Sequence, residues 1–412
     1  MTEFDLDRLM HRLEHLSGYG SSADGAMQRV PYGEADQEVR ELFASWAADA
    51  SLQVAMDAVG NVSATLVGTD PDLPAVMVGS HLDTQPNGGR YDGIAGTLAA
   101  LGAVEGIIAS GHRPRRTIEV VCWAGEEGSG RFDIGCIGSK AMLGALREAD
   151  LDLVCRTTGQ TLREAMASCG LDPDGVASCE RPAGSLHAVL EMHIEQGPYL
   201  EEAGIGLGVV TAISGNRRLP FSLSGVQAHS GAQPMSHRRD ALCAAAELVL
   251  AAERRALATS GAVVATSGMF EHAPRSIAAV PGTAELVVDV RSADLVALED
   301  AARDILEEAR RIAASRQVGV DVHDVWGVDP TDTDVVVTEL LERTCQRMDQ
   351  PYLRMVSGAG HDSAILGKRF PSGLLFVPSR DGISHSPLEY TSAENLGLGG
   401  SALQAALVDV AS

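Results

Sequence analysis

Three short apolar runs, Ala75–Ser80, Thr117–Trp123 and Ala188–His193, each end in histidine or lead within three residues to histidine or acidic residues. Runs of this length, halted by polar residues and rich in β-branched side chains, are expected of buried strands. The apolar stretch Thr97–Ile108 between the first two has helical character. Strands separated by helices confine the chain to an α/β architecture with a mostly parallel sheet. Ligands of such sheets sit beyond the carboxyl ends of the strands, which is where this sequence places its histidines and carboxylates.

From about Thr211 the pattern changes. Arg217–Ser224, Val263–Phe270, Ala284–Val290 and Val318–Val325 have strand character, and Ala241–Arg255 and Leu295–Ala314 have helical character. The order β-α-β-β-α-β predicts a ferredoxin-like α+β domain, a four-stranded antiparallel sheet with two helices on one face. Helix Val335–Met348, strand Gly373–Val377 and helix Ala393–Val408 should then rejoin the first domain. The 412 residues, too many for one core at ~100–200 residues per domain, are thus expected to form a catalytic domain from 1–211 and 328–412 with 212–327 inserted.

The N-terminus carries apolar residues at Leu6, Leu9, Met10, Leu13 and Leu16 with charges between them, the pattern of a core-facing helix rather than a signal peptide. No stretch reaches the ~18 apolar residues of a membrane span. A net charge of −24 makes nucleic acid and anionic lipid poor partners. It does not exclude a small anionic substrate, because bound cations set the potential within a site. The seven cysteines are odd in number and none has Cys-x-x-Cys spacing, so reduced thiols in a cytoplasmic protein are expected.

His81 follows the first strand, in Gly79-Ser80-His81-Leu82-Asp83-Thr84. A histidine there suits a metal, and Asp83, two residues on, could accept the second ring N–H. Asp92, in the Gly-rich Arg90-Tyr91-Asp92-Gly93, has two oxygens and could bridge two cations. Glu126-Glu127 follows the second strand; such pairs persist where a cation compensates them or where one acts as a base. The favoured division makes Glu127 a ligand and Glu126 the general base. His193 ends the third strand, and Gln196 offers a neutral donor and acceptor for an amide. His385 lies in the loop Gly382-Ile383-Ser384-His385-Ser386-Pro387. Singly, each has an ordinary alternative: a structural histidine, a turn aspartate, a solvated acidic pair, an inert loop histidine. Together they supply ligands for two ions sharing a carboxylate, with a position left for water.

In this order the residues resemble the metal-dependent aminoacylase/carboxypeptidase superfamily, and within it the hydantoinase/carbamoylase amidase branch. That branch includes N-carbamoyl-L-amino acid hydrolases, allantoate amidohydrolases and β-ureidopropionases. The similarity runs from about Leu9 to the last helix, strongest over Gly79–Gly96, Glu126–Gly144, His193–Glu201, Gly225–Leu242, Ser357–Ser363 and Phe376–Glu389. It implies two divalent ions per subunit, zinc or manganese with cobalt and nickel as alternatives. His81, Asp92 and His193 would hold one; Asp92, Glu127 and His385 would hold the other, with Glu126 as base. It further implies that the inserted domain is a lid and dimerisation domain. His229, in Gln227-Ala228-His229-Ser230-Gly231, would reach the partner's site in a homodimer. Arg291 would grip a substrate carboxylate, Gln196 the ureido or amide group, and Gly360 and His361 would face the pocket. The resemblance implies hydrolysis of an N-carbamoyl amino acid, with allantoate or an N-acyl amino acid as alternative substrates. The intact ligand set with Glu126 argues against a silent binding protein. Two stretches depart from the pattern: Arg275 and Ala278 in Pro274–Gly282 stand where the family commonly has asparagine, and His229-Ser230-Gly231-Ala232-Gln233-Pro234 replaces the commoner His-Ala-Gly-Thr-Thr-Pro; both bear on the substrate, the first through the carboxylate site.

Overall fold

The computed structural model describes residues 3–155 and 157–412. Two compact units are present, one from residues 1–211 and 332–412 and the other from 212–331.

The first unit is organised on a nine-stranded sheet. Its strands β1 (Gln53–Met56), β2 (Val62–Leu66), β3 (Ala75–His81), β4 (Ile118–Trp123), β5 (Leu186–Ile194) and β6 (Leu207–Ile213) follow one another along the chain. In space the order is β1, β2, β4, β3, β5, then Ser372–Val377, then β6. Strands β4, β3, β5 and Ser372–Val377 are mutually parallel. Antiparallel neighbours flank them, β2 beside β4 and β6 beside Ser372–Val377. The sheet expected to be mostly parallel is therefore parallel at its centre and antiparallel towards its edges. The reason is cover. Every residue of β3 and of Ser372–Val377 is buried, whereas every residue of β1 is exposed, and parallel pairing belongs where both faces are packed.

Helix α1 (Leu6–Leu16) buries Leu9, Leu13 and Leu16, α2 (Glu34–Asp49) buries Val39 and Phe43, and α3 (Ile94–Ala109) is apolar nearly all round. A helix of the last kind belongs inside a core. It packs on β3 and β5 and meets α1 and helix Ala393–Val410. Burying Leu98, Leu101, Val104 and Ile107 stabilises α3 by roughly 1.5–3 kcal/mol each. Gly96 lets it lie directly on β5, since a Cβ there would stand 1.9 Å from the Met192 carbonyl oxygen. This contact sets the height of the helix N-terminus, and with it Asp92, over the strand ends.

The second unit holds a five-stranded antiparallel sheet. Strand Gly215–Ser224 lies between Gly319–Val322 and Thr283–Ser292, and Val264–Ala273 forms the edge beyond the last. Helices Ala241–Leu257 and Leu295–Arg316 cover one face, enclosing Leu219, Phe221, Leu248, Leu286, Val288 and Ile305. The expectation of four strands misses a fifth, Trp326–Val328, which pairs with Arg218–Asn216. It is short and carries no buried residue, so it has no apolar alternation to announce it. Among the described residues no helix is long and apolar enough to cross a membrane.

Candidate metal centre

His81 closes β3 and His193 lies near the end of β5, while Glu126-Glu127 follows β4 and His385 follows Ser372–Val377. All four parallel strands thus deliver a polar residue at their carboxyl ends. Asp92 arrives on the loop from β3 to α3. The turn after it is made by Gly93, whose φ is +66° and whose Cβ would fall 2.3 Å from the His81 ring.

Asp92 divides its two oxygens. Oδ1 stands 3.0 Å from His193 Nε2 and 3.6 Å from His81 Nε2. Oδ2 stands 3.0 Å from His385 Nε2, which is also 3.1 Å from Glu127 Oε1. Two ligand triads result, His81–Asp92–His193 and Asp92–Glu127–His385, and within each the donor atoms lie no more than 4.8 Å apart. In both buried imidazoles Nδ1 meets a main-chain carbonyl, that of Asp83 at 3.0 Å for His81 and that of Ile194 at 2.9 Å for His193. The Nδ1–H tautomer follows, with the Nε2 lone pair turned to the centre. The Asp83 carboxylate is not the partner expected for His81. Its Oδ1 lies 3.8 Å from Nδ1, and its Oδ2 instead accepts the Glu127 N–H at 2.8 Å. Extending the strand by two residues put the side chain on the right side, but the main chain turns there and presents the carbonyl.

Glu126 sits beside both triads, its Oε2 3.8 Å from His81 Nε2 and its Oε1 3.4 Å from Cys136 Sγ. Burial raises its pKa well above the usual carboxylate range, and the charges of Glu127, Asp362, Asp83 and Asp92 push the same way. Burial also opposes the ionised Asp92, but the His193 and His385 rings outweigh it and hold its pKa well down. Those rings respond in kind: against burial, Asp92 lifts His193 to about 9, and Asp92 with Glu127 lifts His385 to about 11. His361, buried and only 4.6 Å from the His193 ring, is pushed well below its normal value by burial and then by that neighbour. This concentration of buried carboxylates calls for positive charge, and nitrogen and oxygen donors in threes suit borderline divalent cations. The residues fit such ions.

Gln196 adopts a left-handed backbone, with φ +59°. Its Nε2 donates to Asp92 Oδ2 at 2.7 Å, and its buried Oε1 has no hydrogen-bond partner among the described residues. His361 receives or donates a hydrogen bond with Ser357 Oγ at 2.9 Å, and Gly360 before it is exposed. Residues that the sequence reading passed over complete the surroundings. Glu191 accepts from Ser80 Oγ at 2.9 Å and from the Ser363 N–H at 3.1 Å. Its spacing of two from His193 on one strand was a usable signal. Gln85 Nε2 reaches Glu127 Oε2 at 2.5 Å. Glu389, its pKa raised to about 7 by burial and by Asp92, accepts the N–H groups of Tyr91 and Asp92.

The remaining expected residues belong to the second unit. His229 lies on the short strand Ala228–His229, paired with Ala279–Val280. Its Nδ1 accepts the N–H groups of Gly231 and Ala232, both at 3.1 Å, so the proton of the neutral ring belongs on Nε2. Arg291 directs Nε and Nη2 to Asp289 Oδ2 at 3.0 and 2.9 Å. Ala278 is exposed, and its carbonyl accepts the Ser230 N–H. Arg275 faces Glu271 at 3.4 Å on the surface.

Residues 77–409 match the sequence profile of the peptidase family M20/M25/M40. The chain is 38% identical over 398 residues to an N-carbamoyl-L-amino acid amidohydrolase of Geobacillus stearothermophilus, covering 96% of each chain. It is 35% identical over 389 residues to the allantoate amidohydrolase of Escherichia coli K12, covering 94% of this chain and 93% of that one. A crystal structure of a hydantoinase/carbamoylase family amidase from Burkholderia vietnamiensis superposes with a TM-score of 0.91 at 33% identity, over 99% of this chain and 98% of that one.

Proposed function

The chain belongs to the peptidase family M20/M25/M40, and on that footing we propose that it is an amidohydrolase acting on an N-carbamoyl amino acid. The overall change is addition of one water, with release of the amino acid, ammonia and carbon dioxide. The observation that carries this reading is the Asp92 carboxylate, one oxygen facing His81 and His193 and the other facing His385, with Glu126 alongside. The similarity to a carbamoyl amino acid amidohydrolase supports the choice of substrate.

In this reading His81, Asp92 and His193 hold one divalent cation and Asp92, Glu127 and His385 the other, zinc or manganese before cobalt or nickel. When bound, such ions acidify the attacking water and polarise the ureido carbonyl. Glu126 takes the proton from that water and delivers it to the departing nitrogen, a role worth roughly 10²–10⁴ in rate. The unpartnered Oε1 of Gln196 is an acceptor suited to a ureido N–H, and Gly360 and His361 border the same place. Arg291 grips the substrate carboxylate in the paired geometry a guanidinium favours. Ala278 leaves room beside that carboxylate where an asparagine side chain would stand. This room, with the similarity to an allantoate amidohydrolase, keeps a larger ureido acid as the second reading.

His229 donates from Nε2–H to the developing oxyanion, and it does so across a homodimer. An edge strand, Val264–Ala273, with Val264 and Phe270 open to solvent, and the exposed Met235 and Ile277 elsewhere in the second unit support assembly through that unit. The described cysteines are all unpaired, which supports a reducing cytoplasm. Ammonia release from a panel of N-carbamoyl amino acids, allantoate and N-acyl amino acids tests the assignment. Turnover confined to carbamoyl and ureido acids is expected; turnover of acyl amino acids alone would overturn it.

A further inference from the structure

Glu389 belongs to the C-terminal segment, yet its buried carboxylate reaches back to the loop that carries Asp92. Oε1 accepts two main-chain N–H groups, that of Tyr91 at 2.7 Å and that of Asp92 itself at 3.0 Å. Oε2 accepts the Ser384 hydroxyl at 2.7 Å, and this hydroxyl stands 3.1 Å from Asp92 Oδ2. The Glu389 N–H closes a turn onto the Ser386 carbonyl. One side chain therefore ties the main chain of the shared ligand to the residue next to His385. Space for it is made by Gly89, where a Cβ would lie 2.1 Å from Oε1.

The loop needs such a tie. Asp381 and His385 both hold positive φ, +54° and +53°, a conformation that is unfavourable by about 1–2 kcal/mol for a residue with a side chain. It persists only where surrounding contacts impose it. The His385 ring is about half exposed, so packing alone does not fix it. Its Nε2 meets Asp92 and Glu127 and the Asp381 N–H is held by Glu201; between these points the loop is tied to the Asp92 peptide by the hydrogen-bond path through Glu389 to Ser384.

We infer that Glu389 is a positioning residue, the clip that holds Asp92 and His385 at the spacing the second cation site requires. The inference rests on the two-cation reading of the cluster. Its consequence is selective: His81 and His193 keep their own main-chain anchors, so the first triad does not depend on the clip for them. Loss of a group that orients ligands weakens metal affinity by about 10–100-fold. Glu389→Ala should show that loss at one site per chain. Glu389→Gln should recover most of it, because the amide oxygen can still accept both N–H groups while the Ser384 hydroxyl turns to donate to Asp92.

The test is metal content of the full-length protein loaded with manganese and dialysed against graded chelator, read together with hydrogen exchange over residues 380–390. The expected result is two ions in the wild type and in Glu389→Gln, with one ion lost early and faster exchange in Glu389→Ala. Should the alanine chain not fold, Ser384→Ala opens the same path and is read in its place. A clip-deficient chain that keeps both ions as tightly as the wild type overturns the inference. A uniformly less stable chain that still holds both ions does so too, since it marks a merely structural carboxylate. A wild type that never holds two ions removes the reading beneath it, an outcome seen before any variant is made.

Discussion

Gly93→Ala should cripple the centre without touching a ligand. The new methyl would sit 2.3 Å from Cε1 and Nε2 of His81, where ordinary contact begins at 3.4 Å, so the ring must retreat by about 1.1 Å. It has nowhere easy to go: His81 is 2% exposed, and its Nδ1 is held at 3.0 Å by the Asp83 carbonyl. Metal–ligand distances tolerate only about 0.2 Å. Misplacements near 1 Å can reduce rate by about 10²-fold. For stability, a left-handed alanine is unfavourable by about 1–2 kcal/mol and overpacking by about 1–3 kcal/mol, which together give about 2–5 kcal/mol. Gly111→Ala is the control, because Gly111 has φ +74° but nothing within 4 Å of its Cβ. It carries the backbone strain without the collision. Urea unfolding, metal analysis and turnover of the two variants separate the effects. Gly111→Ala should lose only about 1–2 kcal/mol and keep its metal and turnover. Gly93→Ala should lose the ion held by His81, Asp92 and His193. Wild-type metal content and turnover in Gly93→Ala would refute the close approach of ring and glycine on which the reasoning depends.

Glu126→Gln should retain both ions while kcat falls by about 10²–10⁴-fold; metal loss would make Glu126 a ligand, and near-normal kcat would remove it as the base. For the dimer, an inactive His229→Ala chain mixed with an inactive Glu126→Gln chain should regain activity through hybrid sites. Absence of activity once subunit exchange is demonstrated, by mass spectrometry of labelled chains, would place His229 outside the partner's site.

Several elements whose residues face a core were legible in the sequence, though β2, β6 and α2, which also bury residues, were not. Strand β3 and helix α3 are continuous apolar runs because both are wholly enclosed, and α1 displays its buried stripe at helical spacing. Strand β1 was not legible, because none of its four residues is buried and hydrophobic pattern is the only strand signal a short segment can give. The expected ligands gather because strand ends in a parallel sheet converge on one edge, so their positions follow from the fold. Glu389 and Ser384 escaped for a different reason. Glu389 accepts main-chain N–H groups of a loop far back in the chain, Tyr91 being 298 positions away, Ser384 reaches the Asp92 side chain 292 positions away, and no local pattern encodes such partners. Asp83 is a similar case: spacing gives the side of the strand on which the residue lies but not which of its atoms faces the His81 ring.

In the proposed function the shared Asp92 carboxylate serves two cations that act together on a ureido acid. Ammonia release from an N-carbamoyl-L-amino acid by chelator-stripped protein, followed as manganese is returned stepwise, tests it most directly. No turnover without metal, little after one equivalent per chain and full turnover after the second is the predicted course. Full turnover by metal-free protein, or saturation at a single equivalent, would contradict it.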